Sequence, residues 1–316
     1  MADDLTAPLG EFCRRHGLTG EVTSLRRLSG GASRETWSFD LGDRPLIMQR
    51  ARRGALPIAS AMAGEAGLLR AAAESGVPVA TVVAATDDPE VLGAPAIVVD
   101  RLAGETIPRR LQRDDEFAMA RRGLVVEAAG ALAGIHGLDP LVASHLRADD
   151  QLAQLRGLAD VLGDPHPAFE LAFRWLAAER PEAVEPVVVH GDFRLGNLLV
   201  DADGLRAVLD WELSHLGDPI EDLGWFSLRA WTFGGPGEVA GLASVDELVD
   251  AYESAAGTSV DRDVLHWWRV LGTLRWGVIC MLQVASHRSG ATRSVELAAI
   301  GRRVCETEYD LLRLLP

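Results

Sequence analysis

Two short stretches of this chain combine residue types that can handle a phosphate ester. The first is His190-Gly-Asp192-Phe-Arg194-Leu-Gly-Asn197, and the second, after a turn, is Asp210-Trp-Glu212. The first stretch sits between apolar runs at 186–189 and 198–200, and a further run, 205–209, leads into Asp210. Asp201-Ala-Asp-Gly204 joins the last two runs as a hairpin turn, and this brings Asp210 back beside Asn197. A carboxylate and an amide oxygen then share one edge, with Asp192 across from them. Hard oxygen donors arranged in this way suit Mg²⁺, which keeps several waters and takes one or two protein ligands plus substrate phosphates. Asp192 is left to orient and deprotonate an attacking hydroxyl. Phosphoryl transfer needs little beyond such positioning and charge neutralisation.

An isolated Asp-x-x-x-x-Asn carries little weight. Joined to a preceding histidine, a hairpin and a returning Asp-x-Glu, it carries much more. Protein kinases place His-Arg-Asp-x-x-x-x-Asn and then Asp-Phe-Gly in the same order, with the same Asp-to-Asn spacing. The segments Val189–Leu199 and Val208–Pro219 resemble the aminoglycoside phosphotransferase and choline kinase-like family, which shares the protein-kinase fold. Within it they look closest to the kinase-like domains fused to acyl-CoA dehydrogenases. Glu221-Asp-Leu-Gly-Trp225 and Leu274-Arg-Trp-Gly-Val-Ile-Cys280 carry the same likeness, which runs from Leu28 to the C-terminus.

The resemblance implies a phosphotransferase using ATP or GTP with Mg²⁺, and an α+β, protein kinase-like bilobal fold. Asp192 would be the base, Asn197 and Asp210 metal ligands, and Glu212 a neighbour of the metal or the substrate. His190 would brace the loop, and Asp218 and Asp222 would hold its backbone. Read by its type alone, His190 is more readily a hydrogen-bonded structural histidine than a proton shuttle. Arg194, two residues past the base, is placed for the transferring phosphate or an acidic substrate.

These groups need a scaffold. The first hundred residues read as a small α/β lobe, 1–100, and residues 101–316 as a mostly helical lobe carrying the β-hairpin insert. Strands are expected at 37–41 and 45–48 around Gly42-Asp43, a helix at 61–74 ending near Gly76 and Pro78, and a buried strand at 96–99. Ser244-x-x-Glu247 predicts a capping box opening a helix that Gly257 closes, and two long helices are expected at about 261–287 and 294–314.

Ser29-Gly30-Gly31-Ala-Ser33-Arg34 precedes the first strand pair. It reads as a plain hairpin bend or, given its position, as a loop whose N–H and hydroxyl groups cradle nucleotide phosphates. The resemblance favours the loop. Glu65, in the middle of the 61–74 helix, is the expected partner of a phosphate-contacting cation. The chain's 31 basic residues are all arginine, so no lysine can fill that place. Set against the apolar-apolar-basic pattern of the family it resembles, Leu46-Ile-Met-Gln-Arg50 puts Gln49 at the basic position. Arg50 is favoured instead, through a local bulge, because a glutamine would leave both Glu65 and the triphosphate unmatched. Val98-Val99-Asp100 reads as a hinge whose backbone, Val99 included, meets a purine edge, or simply as a buried strand end. Arg109, Arg110 and Arg113 read mainly as a solvated face, and His266-Trp-Trp268 through Trp276 as helix packing.

The net charge of −15 excludes a nucleic acid as main partner. No run approaches the roughly 20 apolar residues of a membrane span, and the acidic N-terminus is not a secretory signal. Cys13, Cys280 and Cys305 are scattered, as expected for reduced cytoplasmic thiols. The expected partner is a small hydroxylated molecule. The dehydrogenase-fused likeness points toward hydroxyacyl compounds, and the family name toward amino sugars or amino alcohols. A metal-dependent phosphohydrolase built on the same residues, and a regulatory nucleotide-binding protein, are the competing readings.

Overall fold

The structure, a computed structural model, describes residues 5–28, 34–52 and 61–316. Helix α1 (Thr6–Arg15) is followed by strands β1 (Val22–Arg27), β2 (Arg34–Leu41) and β3 (Arg44–Ala51), then helix α2 (Met62–Glu74). Strand β4 (Val82–Thr86), the short helix α3 (Pro89–Leu92) and strand β5 (Ala96–Asp100) complete the small lobe. Its antiparallel sheet has the order β1-β2-β3-β5-β4.

Side chains alternate across these strands, so each face has its own role. Phe39, Leu41, Leu46, Met48, Ala96 and Val98 pack on Leu9 and Phe12 of α1 as one apolar cluster. The other face looks toward α2, whose Met62, Ala66, Leu69 and Ala72 recur at helical spacing and are buried with Ile97 of β5.

The second lobe holds α4 (Pro108–Arg113), α5 (Ala118–His136), α6 (Gln151–Leu162) and α7 (Pro167–Ala178), then α8 (Ile220–Phe226), α9 (Val245–Ala256) and α10 (Arg262–Arg288). Ser244 and Glu247 close the expected capping box on α9, and Gly257 ends that helix in a left-handed conformation. The expected last helix is two, α11 (Val295–Ile300) and α12 (Arg303–Leu314). They break at Gly301, where a Cβ would lie 2.9 Å from the Val284 side chain, so only glycine lets α10 approach this closely.

Between α7 and α8 lies the β-insert: β6 (Val187–Val189), β7 (Leu198–Val200), β8 (Leu205–Val208) and β9 (His215–Gly217). β7 and β8 form the expected hairpin, while β6 pairs with β9, a strand not anticipated from sequence. The loop between β6 and β7 hangs on the largest core cluster through Phe193, Leu195 and Leu198, all fully buried. The whole is a kinase-like bilobal α+β fold, as expected. Among the described residues no helix is long and apolar enough to cross a membrane.

Candidate active site

Asp192 stands at the middle of the β6–β7 loop. Its carboxylate receives Nε of Arg194 at 3.2 Å on both oxygens, Nδ2 of Asn197 at 2.8 Å on Oδ2, and the Trp225 indole N–H at 2.9 Å on Oδ1. Asn197 Nδ2 also donates to the Asp192 carbonyl at 2.9 Å, which turns its Oδ1 away from that residue. Trp225, from α8, is a partner of Asp192 that no spacing along the chain points to. Its ring and those of Trp276 and Phe233 pack around Trp231, and the Arg194 guanidinium lies 5.2 Å from the Trp231 ring centre. Arg194 is thus pinned between the carboxylate and an aromatic wall.

His190 is entirely buried, and both its ring nitrogens are spent on backbone. Nε2 donates to the Leu209 carbonyl at 3.0 Å, and Nδ1 accepts the Asp192 N–H at 3.2 Å. Burial holds its pKa below the ordinary value despite the nearby Asp222 and Asp192 carboxylates. A neutral ring tied at both ends does not carry protons, which fits the bracing role expected of His190 rather than a proton shuttle.

Leu209 N–H donates to the Asn197 carbonyl at 2.8 Å, and Asp210 follows with a φ of 65°. That left-handed conformation, strained for a non-glycine residue, turns the chain where Asp210 meets the loop. Burial, then the Glu212 and Asp192 carboxylates, push the Asp210 pKa up to about 7, with Arg34 and Arg194 opposing. An acid cluster under such strain is one that a cation relieves. Among the described residues no three His, Cys, Asp or Glu side chains converge as a metal site. The donor set is smaller and mixed: the Asn197 amide oxygen and the Asp210 carboxylate, with Glu212 alongside. These hard oxygen donors fit Mg²⁺, which needs only one or two protein ligands when phosphates supply the rest.

On the small lobe, the expected pairing of Arg50 with Glu65 is absent. Cross-strand neighbours share a face: Glu35 pairs with Arg50, and Thr36 with Gln49. No bulge shifts this register, so Arg50 points to the α1 side with Met48. There it binds Glu35 at 2.6 Å and the Leu92 carbonyl at 2.9 Å. Glu65 is gripped instead by Arg34, with Nη1 and Nη2 at 2.8 and 2.5 Å from its two oxygens. Arg34 Nη1 also reaches Gln49 Oε1 at 3.3 Å, and its Nε lies 3.0 Å from Glu212 Oε2. Residue order alone gives Arg34 no such role, because its face is set by strand register, which the Gly-rich stretch before it hides. Ser29, Gly30, Gly31 and Ser33, the expected phosphate loop, lie outside the described residues.

Val99 is paired on both sides, with Ile47 and Val82, so its backbone is committed to the sheet rather than offered to a purine. Just beyond it, Leu102, Ala103 and Gly104 donate no backbone hydrogen bond to a described residue. Arg110 is tied to Glu105 and Asp114, whereas Arg113 borders an open depression of about 640 Å³ with Gln112, Arg121 and Arg122. Trp267 packs in the core of the helical lobe, as expected.

The loop's backbone is held from below. Asp222 takes the His190 N–H at 2.7 Å and the Gly191 N–H at 2.9 Å, and faces His136 Nε2 at 3.2 Å. Gly191 is left-handed, at φ +77°, and a Cβ there would lie 2.4 Å from the Leu213 carbonyl oxygen. Asp218, expected to share the task, instead accepts from Ile220 N and Trp268 Nε1, fixing the start of α8.

Next to it, buried Glu221 bonds His215 at 3.0 Å and Arg275 at 3.2 Å. Burial alone would lower the His215 pKa, but Glu221 overrides it and holds the group at about 9, against an ordinary 6.5. A raised pKa contributes stability in full below 6.5 and loses it as pH climbs through 9. The loss is on the order of 3 kcal/mol. Melting temperature should therefore fall over that window, and His215→Gln should remove this component. A variant keeping the wild-type slope would assign the effect elsewhere.

Residues 24–268 match the model of the phosphotransferase enzyme family APH. Mouse acyl-CoA dehydrogenase family member 10 is 31% identical over 220 residues, covering 65% of this chain but 20% of that protein. The chain thus spans about a fifth of that relative's length. Among solved structures, a protein of Ralstonia eutropha JMP134 assigned as an aminoglycoside phosphotransferase superposes with a TM-score of 0.79 at 21% identity, covering 98% of this chain and 97% of that one. A spectinomycin phosphotransferase in complex with ADP and spectinomycin gives 0.69 at 12% identity, with 98% of each chain covered. At these identities the two structures speak for the fold, while the sequence match over 24–268 speaks for descent. The chain belongs to the APH phosphotransferase enzyme family.

Proposed function

We propose that this protein transfers the γ-phosphate of ATP or GTP to a hydroxyl group of a small molecule, with Mg²⁺ as cofactor. The observation that carries this reading is the Asp192 carboxylate, oriented by Arg194, Asn197 and Trp225 beside the Asn197–Asp210 edge. Mg²⁺, when bound with the nucleotide, neutralises charge on the phosphates. Asn197 Oδ1 and Asp210 would hold it, with Glu212 beside them. Asp192 orients the acceptor hydroxyl and takes its proton as the new P–O bond forms and the bond from the γ-phosphorus to the β,γ-bridging oxygen breaks, releasing ADP or GDP. Arg194, pinned next to the base, meets the negative charge of the transferring phosphoryl group. The backbone of Leu102–Gly104, which donates no backbone hydrogen bond to a described residue, would meet the purine edge, and the segment at 29–33 would meet the phosphates. The nucleotide then belongs to the lobe ending at residue 100, and the acceptor to 101–316. Cys13, Cys280 and Cys305 are all unpaired thiols, which supports a cytoplasmic location, and the net charge of −15 supports a partner other than nucleic acid.

The test is a transfer assay with γ-labelled ATP or GTP and Mg²⁺ across hydroxyacyl thioesters, amino sugars and amino alcohols. Label appearing in an acceptor is the expected result. Phosphate release that no acceptor redirects would make the protein a phosphohydrolase, and nucleotide binding with neither outcome would make it regulatory.

A further inference from the structure

We propose that Arg34, on β2, is the cation that holds the nucleotide's phosphates, replacing a basic residue that the pattern of β3 places at Gln49. The inference rests on the kinase reading above and adds to it a residue from a different strand.

Strand register puts Arg34 and Gln49 on one face. Arg34 pairs with Ala51, and Thr36 with Gln49, so Arg34 and Gln49 are diagonal neighbours on one face of the β2–β3 ladder. That face looks toward α2 and the cleft, and Arg50 is on the other. A side chain from position 34 therefore reaches the volume that one from position 49 would fill. The two are in contact, Nη1 to Oε1, at 3.3 Å. In effect a neutral amide and a guanidinium have exchanged places between adjacent strands.

Arginine offers two edges for bidentate contacts, where lysine offers a point charge. The Nη1/Nη2 edge of Arg34 is filled by Glu65, and this pair is nearly fully buried, with side-chain exposures of 5% and 3%. The Nε side faces Glu212 across the cleft at 3.0 Å, yet Nε makes no well-aligned hydrogen bond there. Arg34 thus touches α2 on one lobe and the metal-side segment on the other, and its Nε–H is left buried and without a hydrogen-bond partner at the space between them. A phosphate oxygen entering that space gains an aligned, charge-assisted donor that Glu212 does not use well. Glu65 keeps the guanidinium in place while this happens. Packing or lobe-latching alone leaves the misaligned Nε without a purpose.

Mg-ATP binding to the full chain, measured by titration calorimetry, tests this, with thermal melting to establish folding. Arg34→Gln alone would strand the buried Glu65 charge, so the informative variants are R34Q/E65Q, which removes both charges, and R34Q/Q49K, which returns a cation to β3. R34Q/E65Q should fold and raise the Kd about ten- to a hundredfold. R34Q/Q49K should restore the Kd to within a few-fold of wild type. A wild-type Kd in R34Q/E65Q would reduce Arg34 to a structural latch and overturn the proposal. R34Q/Q49K binding as weakly as R34Q/E65Q would overturn the exchange of positions. Absence of Mg-ATP binding in the wild type is a different failure: it removes the kinase reading, and this inference with it.

Discussion

Asp192→Asn is expected to lower phosphoryl transfer by about 10²- to 10⁴-fold while leaving Mg-ATP binding within a few-fold of wild type. The carboxylate accepts Arg194 Nε, Asn197 Nδ2 and the Trp225 indole N–H. An amide of the same size presents one oxygen to these donors and turns an NH₂ toward the rest. It can neither take the hydroxyl proton nor keep Arg194 in register. In the proposed arrangement the nucleotide's metal and phosphate contacts fall to other residues, so the ground-state complex should survive. A label-transfer rate together with calorimetric Mg-ATP binding separates the two. A variant keeping more than about a tenth of the rate would move the base elsewhere, since general-base contributions are larger than that. A variant losing nucleotide binding in step with the rate would show that Asp192 serves the metal instead.

Asp222→Asn should destabilise the protein by about 3 kcal/mol and lower its melting temperature by several degrees. One oxygen of this fully buried carboxylate takes the His190 N–H and faces His136, and the other takes the Gly191 N–H. Burial works against its ionisation, yet His136, His190 and the backbone donors hold its pKa below the ordinary 3.8. Its contribution is therefore present above 3.8 and lost only as pH falls below that value. In asparagine one side becomes an NH₂ facing a donor N–H, which leaves a buried polar group unmatched. Transfer should fall as well, because the Asp192 backbone is hung from the same two amides. Melting within a degree of wild type would mean that the loop is held by its apolar anchors, Phe193 and Leu195, rather than by this carboxylate.

Much of this site was readable from residue order because it is local. Asp192, Asn197 and Asp210 lie within one hairpin, and the turn at Asp201–Gly204 is written in residues that allow few other conformations. Spacing along the chain then becomes distance in space with little freedom left over. The same holds for the capping box at Ser244 and Glu247 and for the β2–β3 hairpin.

The groups that were missed or misplaced are held by contacts between distant segments. Trp225 reaches Asp192 across 33 residues, His136 reaches Asp222 across 86, and β9 returns to β6 after the hairpin. None of these has a periodic or spacing signature. Arg50 shows the limit most sharply. A bulge would have turned it toward Glu65, but the β2–β3 register runs unbroken, and in a strand one residue reverses the face.

Residue types and local spacing were enough to single out Asp192, Asn197 and Asp210 as candidate base and metal-side oxygens and to predict the hairpin joining them, because short-range geometry leaves few alternatives. The partner of Glu65 and the supports beneath the loop required the folded chain. They depend on register and on helices that approach from far along the sequence, and a cation's place in the row does not say which face of the sheet it occupies.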